Sequence, residues 1–469
     1  MPRRRRAVRY DLVVVGMGSA GLVAAEFAAR LDRKVAAVEA GRLGGDCLWT
    51  GCVPSKALIA SARAAHLMRT ADRLGLPAVE PEIDRAEVWR RIRRVREEIA
   101  STDDSPERYE AMGVELVHGP ARLAGSHAVE VGGRTLETRF ILLCTGSLPA
   151  VPPIEGLDET GFLTSETLWE LERPPRSLVV LGGGPVGCEL AQGCNRLGIR
   201  VTLLELAPRL LLSEEPELAE LLAQTLAGEG VDVRVRIAAE RITVEGGLKI
   251  ARAGESRFPA EELLVAVGRT PNVAGLELET LGVRVGQKGV EVDGRMRTSV
   301  PSIYAVGDVA GRFLFTHSAA HEAALAVRDM FFPGRGKPSR LVPWCTFTDP
   351  ELAHAGLTAA EAVERHGERA VRAWRIDLDR SDRARTDAAA GGRLVLVTAR
   401  ERLVGAHALA PRAGELAGEL ALAIREGLRL HELAGLVHVY PTYSTSIVQL
   451  AAEAAYERAG RYARLLRRI

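Results

Sequence analysis

Apolar runs and amphipathic stretches alternate along this chain, and one arrangement of them occurs twice. An apolar run leads into a glycine-rich turn, then a stretch with apolar residues at helical spacing, then a second apolar run that ends in an acid. The first copy spans Tyr10 to Glu39 and the second spans Arg176 to Glu205. Such runs indicate buried strands, and the spacing between them indicates a helix packed on those strands. The pattern predicts an α/β fold that contains two strand-turn-helix-strand units.

Both turns read GxGxxG. One such turn is weak evidence, whereas two complete units, each with an acid about 20 residues further on, indicate two dinucleotide sites. The first glycine permits the tight turn, the second lets the backbone approach a pyrophosphate, and the third lets helix and strand pack closely. The alternative is a pair of ordinary strand-helix units with glycine turns. The residues concerned are Gly16, Gly18, Gly21 and Glu39 in the first unit and Gly182, Gly184, Gly187 and Glu205 in the second.

The segment GGDCLWTGCVPSK, from Gly44 to Lys56, places Cys47 and Cys52 five positions apart. A helix is predicted to start at Val53, with Pro54 at its first position. The positive end of that helix favours a thiolate at Cys52. A zinc site needs two further ligands at matching spacing, which the nearby sequence does not supply, so no metal site is predicted. Redox chemistry is favoured over a structural disulfide or chance spacing.

Length and charge narrow the class of protein. A chain of 469 residues is expected to form about three domains. Lys plus Arg number 62 against 61 for Asp plus Glu, so the net charge indicates neither a nucleic acid nor a membrane surface as partner. No stretch approaches the roughly 20 apolar residues of a membrane span. The arginine-rich start, Met1 to Arg9, is interpreted as a basic tail on a cytoplasmic protein rather than a signal peptide.

An arginine-rich stretch from Ala86 to Ala100 has helical character. The arginines would suit contact with nucleic acid. However, acids follow them and no aromatic residues interleave, so a solvated helix face is favoured. Turn-rich segments mark the chain crossings between domains. They lie at Pro152 with Pro153, near Asn272, and from Pro333 to Pro343.

With these motifs, the chain from about Tyr10 to Ala459 resembles the FAD-dependent pyridine nucleotide-disulfide oxidoreductases. This family includes dihydrolipoamide dehydrogenase, glutathione reductase and mercuric reductase. Further matching segments are LLCTGSLPAVPPIEG from Leu142, VAVGRTPN from Val265 and SIYAVGDV from Ser302. The resemblance implies two Rossmann-like dinucleotide-binding domains and a C-terminal α+β dimerisation domain. The FAD-binding domain would comprise residues 1–150 and 273–340, the NAD(P)-binding domain residues 151–272, and the dimerisation domain residues 341–469.

The resemblance also implies roles for individual residues. NAD(P)H would reduce FAD, and the electrons would pass to a Cys47–Cys52 disulfide. Cys52 would be the charge-transfer thiolate beside the flavin and Cys47 the interchange thiol that meets the substrate. Lys56 would lie by the flavin and pair with Glu189. The other implied cofactor-binding residues are Thr145, Gly146, Gly268, Arg269, Gly307 and Asp308, the last of these toward the ribityl chain.

Glu205 bears on the choice between NADH and NADPH. An acid at this strand end accepts from the ribose hydroxyl of NADH and repels a 2'-phosphate. Relatives that use NADPH carry arginines just beyond, and the matching positions here are Leu206 and Leu212. Arg209 is an alternative contact for a phosphate. NADH is therefore the expected donor.

The C-terminal signature departs from that of the disulfide reductases. The chain reads HVYPTYSTSIVQ from His438, with Tyr440 in place of the family's histidine and Thr445 in place of its glutamate. A phenol with a pKa of about 10 is a poor base near neutrality. His438 is a possible substitute, about 7 Å from Tyr440 along an extended strand, although a packing role is favoured. Mercuric reductases also lack the histidine, but their C-terminal cysteine pair is absent from the final residues RYARLLRRI.

The resemblance implies a homodimeric FAD-dependent oxidoreductase whose partner chain completes each active site, and the protein is expected to be cytoplasmic. The acceptor is expected to be a small electrophile, a disulfide or a quinone, as in the mercuric reductase-like branch. Two alternatives are a dihydrolipoamide dehydrogenase with an atypical acid-base group, and a flavoprotein that serves as a redox sensor or structural subunit. The remaining cysteines are expected to be small buried apolar residues. They are Cys144, Cys188, Cys194 and Cys345.

Overall fold

A computed structural model describes residues 10–332, 339–389 and 391–466. The basic tail that ends at Arg9 and the part of the Pro/Gly-rich segment from 333 to 338 lie outside these residues. None of the described helices combines the length and apolar character that crossing a bilayer requires.

The first strand-turn-helix unit lies in a mixed sheet. Its parallel strands follow the order β3-β2-β1-β6, and a β4-β5 hairpin continues antiparallel from β6. Strand β1 is buried along almost its whole length because helices cover one face of the sheet and the hairpin side covers the other. The elements are β1 (Tyr10–Val15), α1 (Ser19–Ala29), β2 (Val35–Glu39), α2 (Gly45–Trp49), α3 (Cys52–Arg69), α4 (Arg85–Ala100), α5 (Pro106–Ala111), β3 (Glu115–His118), β4 (Ala121–Gly125), β5 (Ala128–Val131), β6 (Arg134–Leu143) and β7 (Ser147–Pro149).

The second unit forms a separate parallel sheet of order β10-β9-β8-β14, with an antiparallel β11-β12-β13 sheet beside it. Every residue of β8 is buried, as the continuous apolar run requires. The elements are α6 (Leu157–Thr160), β8 (Ser177–Leu181), α7 (Pro185–Arg196), β9 (Arg200–Glu205), α8 (Pro216–Gly228), β10 (Asp232–Val235), β11 (Arg241–Glu245), β12 (Leu248–Ala253), β13 (Ser256–Ala260) and β14 (Glu262–Val265).

The chain then returns to the first sheet. Strand β15 pairs antiparallel with β7, so the outgoing and returning chains run side by side, and Ala150 N donates to Gly268 O at 2.9 Å. Strand β18 then joins the first sheet parallel to β6. The elements are β15 (Arg269–Pro271), β16 (Val285–Gly286), β17 (Gly289–Val290), β18 (Ile303–Ala305) and α9 (Thr316–Phe331).

The C-terminal part is an antiparallel sheet of order β19-β20-β23-β22-β21 with helices packed on it. Its core includes Leu396 of the sheet together with Leu420 and Ile447 of two helices. The elements are β19 (Trp344–Thr346), β20 (Glu351–Gly356), α10 (Ala359–His366), β21 (Val371–Asp377), α11 (Asp382–Thr386), β22 (Arg393–Ala399), β23 (Arg402–Ala410), α12 (Ala413–Arg425) and α13 (Thr445–Leu466). The predicted fold class, with two Rossmann-like units and a C-terminal α+β unit, is confirmed.

A buried ion network joins these parts. The Arg196 guanidinium of α7 contacts the Glu229 carboxylate at 2.6 Å and the Asp349 carboxylate at 2.7 Å. Arg63 of α3 also reaches Asp349, at 2.9 Å. Because the Arg196 side chain is almost fully buried, loss of one acid would leave its charge only partly compensated and would destabilise the fold. The network therefore ties α3, α7 and the loop after β19 together.

Two local predictions need correction. Helix α3 begins at Cys52, not Val53, so Pro54 is its third residue. Proline is tolerated there because the first-turn N–H groups have no partner within the helix. The solvated face predicted for the arginine-rich helix is also only partly correct. Arg96 is 3% exposed and donates to Trp49 O at 2.7 Å and Glu170 Oε1 at 3.0 Å, since its long side chain reaches back to neighbouring elements.

Candidate active site

A cavity of about 1440 Å³ opens where the first unit, helix α7 and the C-terminal part meet. It brings together most of the residues that the sequence singled out, although they are spread over more than 260 positions. Those that line it are Gly16, Gly18, Glu39, Cys47, Cys52, Lys56, Thr145, Gly146, Glu189, Gly268, Arg269, Gly307 and Asp308. Gly21, Gly182, Gly184, Gly187, Glu205, His438 and Tyr440 are not part of its lining.

The first glycine turn has the shape that a dinucleotide phosphate needs. Gly16 has a φ of +94°, and a Cβ there would lie 2.5 Å from Cys144 O, while a Cβ at Gly21 would overlap the carbonyl of Gly16. At Gly18 a Cβ would meet only Gly45 Cα, at 3.7 Å, so protein packing alone does not demand glycine. Gly18 caps α1 without a side-chain bond. The helix N-terminus is thus free to receive an anion, which fits FAD.

The second turn repeats this geometry outside the cavity. Gly182 has a φ of +110°, and a Cβ at Gly187 would overlap its carbonyl oxygen. A Cβ at Gly184 would meet no protein atom within 4 Å, which leaves backbone approach by a ligand as the reason for glycine. Glu205 accepts from Gly183 N at 2.5 Å and Ala207 N at 2.6 Å. Glu39 makes the corresponding bond to Met17 N at 2.6 Å.

The cysteines are held at adjacent helix starts. Cys47 lies in α2, and Cys52 is the first residue of α3; both are free thiols in this structure. A hydrogen bond from Cys47, helped by Thr316 and the charge of Lys56, lowers the pKa of Cys52 to about 6. The same interaction with Cys52, together with burial, raises the pKa of Cys47. The pair therefore holds one thiolate, at Cys52, near neutral pH.

Lys56 and Glu189, which the family resemblance pairs, form an ion pair with Nζ and Oε2 2.8 Å apart. The Glu189 side chain is buried, and its other oxygen accepts from the backbone N–H of Phe347 at 2.8 Å. Lys56 Nζ also lies 4.4 Å from the centroid of the Phe347 ring. One carboxylate thus joins α3, α7 and the segment after β19 at the cavity wall.

The wall on the side of β7 and β15 is charged. The Arg269 guanidinium lies 3.2 Å from the Asp46 carboxylate and 3.7 Å from that of Asp308. Ser147 Oγ donates to Asp308 at 2.6 Å, and burial raises the pKa of the Asp308 carboxyl. Thr145, Gly146, Gly268 and Gly307 line the same region. This arrangement can receive the hydroxyl-rich part of a dinucleotide.

The structure places His438 and Tyr440 away from the cysteines of their own chain. His438 contacts Glu419 Oε1 through Nε2 at 2.8 Å, and its Nδ1 lies 3.4 Å from Leu436 O. Tyr440 is 69% exposed and donates to Asp382 at 2.8 Å. The two side chains have separate partners. The His438 contact to Glu419 has no local sequence signal, since the two lie on different elements.

Sequence reasoning missed two residues near the cysteines and misjudged a third. Thr316 Oγ1 lies 3.4 Å from Cys52 Sγ, and Phe347 supports the Lys56–Glu189 pair. Neither stands near the cysteine segment in sequence, so only the fold reveals them. Cys345 is not fully buried as expected but lines the cavity, because β19 forms part of its wall. Burial raises the pKa of the Cys345 thiol, so it stays protonated.

Comparisons with known proteins agree with this geometry. Residues 10–323 match the family model for pyridine nucleotide-disulphide oxidoreductases, and residues 342–451 match the model for their dimerisation domain. The chain is 36% identical to a dihydrolipoyl dehydrogenase of Thermus scotoductus, over 96% of this chain and 98% of the relative. It is 37% identical to a mercuric reductase of Streptomyces lividans, over 95% of this chain and 96% of the relative.

A solved structure has the same overall arrangement. It is the HOCl-induced flavoprotein disulfide reductase RclA from Escherichia coli, with a TM-score of 0.84 and 25% sequence identity. The match covers 94% of this chain and 99% of that one.

In the reduced protein, Cys52 should react with iodoacetamide as a thiolate with half-maximal rate near pH 6, because its pKa is lowered to about 6. The rate should fall as the pH drops below that value. Cys47→Ala removes the largest stabilising hydrogen bond and should shift the profile to higher pH. Peptide mass spectrometry distinguishes Cys52 from Cys345, which should stay unreactive across the range. An unshifted profile in Cys47→Ala would contradict the assigned cause.

Proposed function

Because the chain belongs to the pyridine nucleotide-disulphide oxidoreductase family, we propose that it oxidises NADH and passes the electrons through FAD and the Cys47–Cys52 pair to a small acceptor. The acceptor classes are a small electrophile, a disulfide or a quinone. Membership in this family makes the protein an oxidoreductase that uses FAD and a pyridine nucleotide.

The observation that carries the proposal is a cysteine pair whose two thiol pKa values are shifted in opposite directions. Cys52 of this pair lies one helical turn from the Lys56–Glu189 ion pair. Cys52 and Lys56 lie four residues apart on α3, so they share one face of the helix. The Lys56 charge contributes to lowering the pKa of Cys52. A structural disulfide would need neither the thiolate nor the charge. The arrangement supports a pair that alternates between disulfide and dithiol.

Each residue then has a part in the reaction. Gly16, Gly18 and Glu39 would hold the adenosine half of FAD, while Arg269 and Asp308 would hold its middle. FAD, when bound, supplies the exchange of two electrons between a nicotinamide and a disulfide. Cys52 would be the thiolate that stays beside the cofactor. Cys47, whose raised pKa keeps it protonated in the pair, would exchange with the acceptor after giving up its proton.

The contacts of Arg209 bear on the choice of donor. Its guanidinium donates to the backbone carbonyls of Leu211 at 2.6 Å and Leu212 at 2.7 Å, so it is committed to shaping the loop. The matching positions for an arginine carry Leu206, 72% exposed, and Leu212, 57% exposed. Glu205 is left as the acid at the strand end. A 2'-phosphate would meet that carboxylate, which favours NADH.

The acceptor side differs from that of a lipoamide dehydrogenase. Both nitrogens of His438 have partners within the chain, and its side chain is only 9% exposed. Tyr440 can donate a hydrogen bond but is a poor base, since its contact with Asp382 raises the pKa of the phenol further. This favours acceptors that need no imidazole from the C-terminal signature.

The match to the dimerisation domain indicates a homodimer. We propose that the partner chain completes each active site with its own C-terminal segment. A dithiol that cycles is suited to a reducing compartment, and we place the protein in the cytoplasm on that ground. A role as redox sensor or structural subunit is disfavoured because Cys47, Cys52, Lys56 and Glu189 are all present and assembled.

Replacing each cysteine should separate their roles. In oxidised holoprotein, Cys47→Ser should show a long-wavelength charge-transfer absorbance, because the serine hydroxyl can still donate to the Cys52 thiolate. Cys52→Ser should lack that absorbance under all conditions. Visible spectra of both variants at pH 8 provide the measurement, with Cys345→Ser as the matched control that behaves like wild type. The opposite pattern would exchange the two roles.

Steady-state kinetics should show a preference for NADH of about 10²-fold in kcat/KM, since like charges brought together cost several kcal/mol and 1.4 kcal/mol is tenfold. Glu205→Ser combined with Leu206→Arg should reverse it. Arg209→Met is the control and should leave the ratio unchanged. A wild-type preference for NADPH that disappears in Arg209→Met would contradict this interpretation.

Turnover of dihydrolipoamide should be weak, because absence of a positioned base removes about 10²- to 10⁴-fold in rate. Reduction of ferricyanide by NADH does not use that base and should stay fast. Tyr440→His with Thr445→Glu should raise dihydrolipoamide turnover. If wild-type protein already turns over dihydrolipoamide as fast as the dye, and His438→Ala removes only that activity, the chain is a lipoamide dehydrogenase with His438 as its base.

A further inference from the structure

A row of aromatic rings forms part of the cavity wall. The rings of His317 and Phe315 are stacked with centroids 5.4 Å apart, and those of Phe315 and Trp344 with centroids 5.6 Å apart; each pair is 14° from parallel. All three side chains line the cavity that holds the cysteine pair. Thr316, between His317 and Phe315, touches Cys52. Phe315 and His317 are therefore the sequence neighbours of the residue that contacts Cys52 Sγ.

Two buried side chains, Glu214 and His354, fix the Trp344 end of this row. Trp344 Nε1 donates to Glu214 Oε1 at 2.6 Å, and the Trp344 ring stacks on His354 with centroids 3.7 Å apart. His354 Nδ1 donates to the other oxygen of Glu214 at 3.1 Å. Glu214 and His354 are each 2% exposed. A wall anchored in this way presents rigidly held aromatic side chains to the cavity.

His317 is the titratable end of the row. Its Nε2 donates to Pro343 O at 2.7 Å, which fixes the ring and leaves Nδ1 as the nitrogen able to exchange a proton. The side chain is exposed to the cavity, in contrast to His438. His317 is thus an imidazole that lines the cavity of the cysteines, whereas His438 and Tyr440 of the C-terminal signature do not line it.

We propose that a quinone acceptor binds against the Phe315 and Trp344 rings and that His317 supplies a proton to it. This rests on the proposed function and names one of its acceptor classes. Planar aromatic ligands gain from offset or edge contact with such rings, by about 0.5–1.5 kcal/mol per pair beyond burial of area.

The reaction balances with one proton from the protein. A quinone takes up two electrons and two protons to become a hydroquinone, with two new O–H bonds. NADH loses a hydride, which supplies both electrons and one proton. The Nδ1–H of protonated His317 supplies the second proton, and solvent restores it.

The experiment compares three acceptor measurements on the FAD-loaded dimer: NADH with menadione, NADH with ferricyanide, and calorimetric binding of menadione without NADH. Ferricyanide needs neither a planar pocket nor a proton. His317→Gln keeps an amide able to donate to Pro343 O but cannot transfer a proton. Phe315→Leu removes one ring. His321→Gln, an exposed residue one turn further along α9 and outside the cavity lining, is the matched control.

His317→Gln should lower kcat with menadione by about 10²-fold or more, as loss of a general acid does, while ferricyanide reduction and menadione binding stay within twofold. Phe315→Leu should instead raise the KM and weaken menadione binding. His321→Gln should match wild type. Equal losses with both acceptors, or no loss in His317→Gln, would overturn the proposal. Absence of ferricyanide reduction in the wild type would instead mean that the proposed function itself is wrong.

Discussion

The carboxylate of Glu189 is the contact on which the cavity depends. It is buried, and it accepts at once from the Lys56 ammonium and from the backbone N–H of Phe347. The carboxylate and its two partners come from three separate stretches of the chain. Because a buried carboxylate is costly without both partners, any displacement of one stretch relative to the others is penalised. The Arg196 network with Glu229 and Asp349 repeats the constraint a short distance away. Together they fix the positions of the cavity walls relative to one another.

The local features of the fold were accessible from sequence because their causes are local. The turns at Gly16 and Gly182 depend on a positive φ and on close helix packing, which the glycine pattern encodes directly. The helix at Cys52 was predicted one residue late, since a proline fits any position of a first turn. The pairing of Lys56 with Glu189 came through the family resemblance, not from spacing. The domain boundaries remain predictions.

Other parts of the site could not be predicted because they depend on contacts between distant segments. The sequence leaves Arg209 as a possible contact for a phosphate. In the structure, its guanidinium N–H groups donate to loop carbonyls that only the folded loop brings within reach. Arg96 looked solvated, yet the packing of α4 against α2 buries it. His317 belongs to none of the motifs that the sequence indicated. Only the fold brings it into the cavity that holds the cysteines. In each case the sequence shows the chemical group but not its partner.

The paired crossing of β7 and β15 has a consequence for how such a protein can change over time. The outgoing and returning chains leave the first sheet at one place and are bonded to each other there. The whole intervening stretch, from Ala150 to Gly268, is therefore connected to the first unit through the antiparallel pair of β7 and β15. Residues within it, Glu205 and Leu206 among them, can diverge without disturbing the cysteine segment. Exchange of this stretch between related chains would transfer a donor preference, provided that its contacts with the rest of the chain still match, among them those of Glu189 and Arg196 on α7.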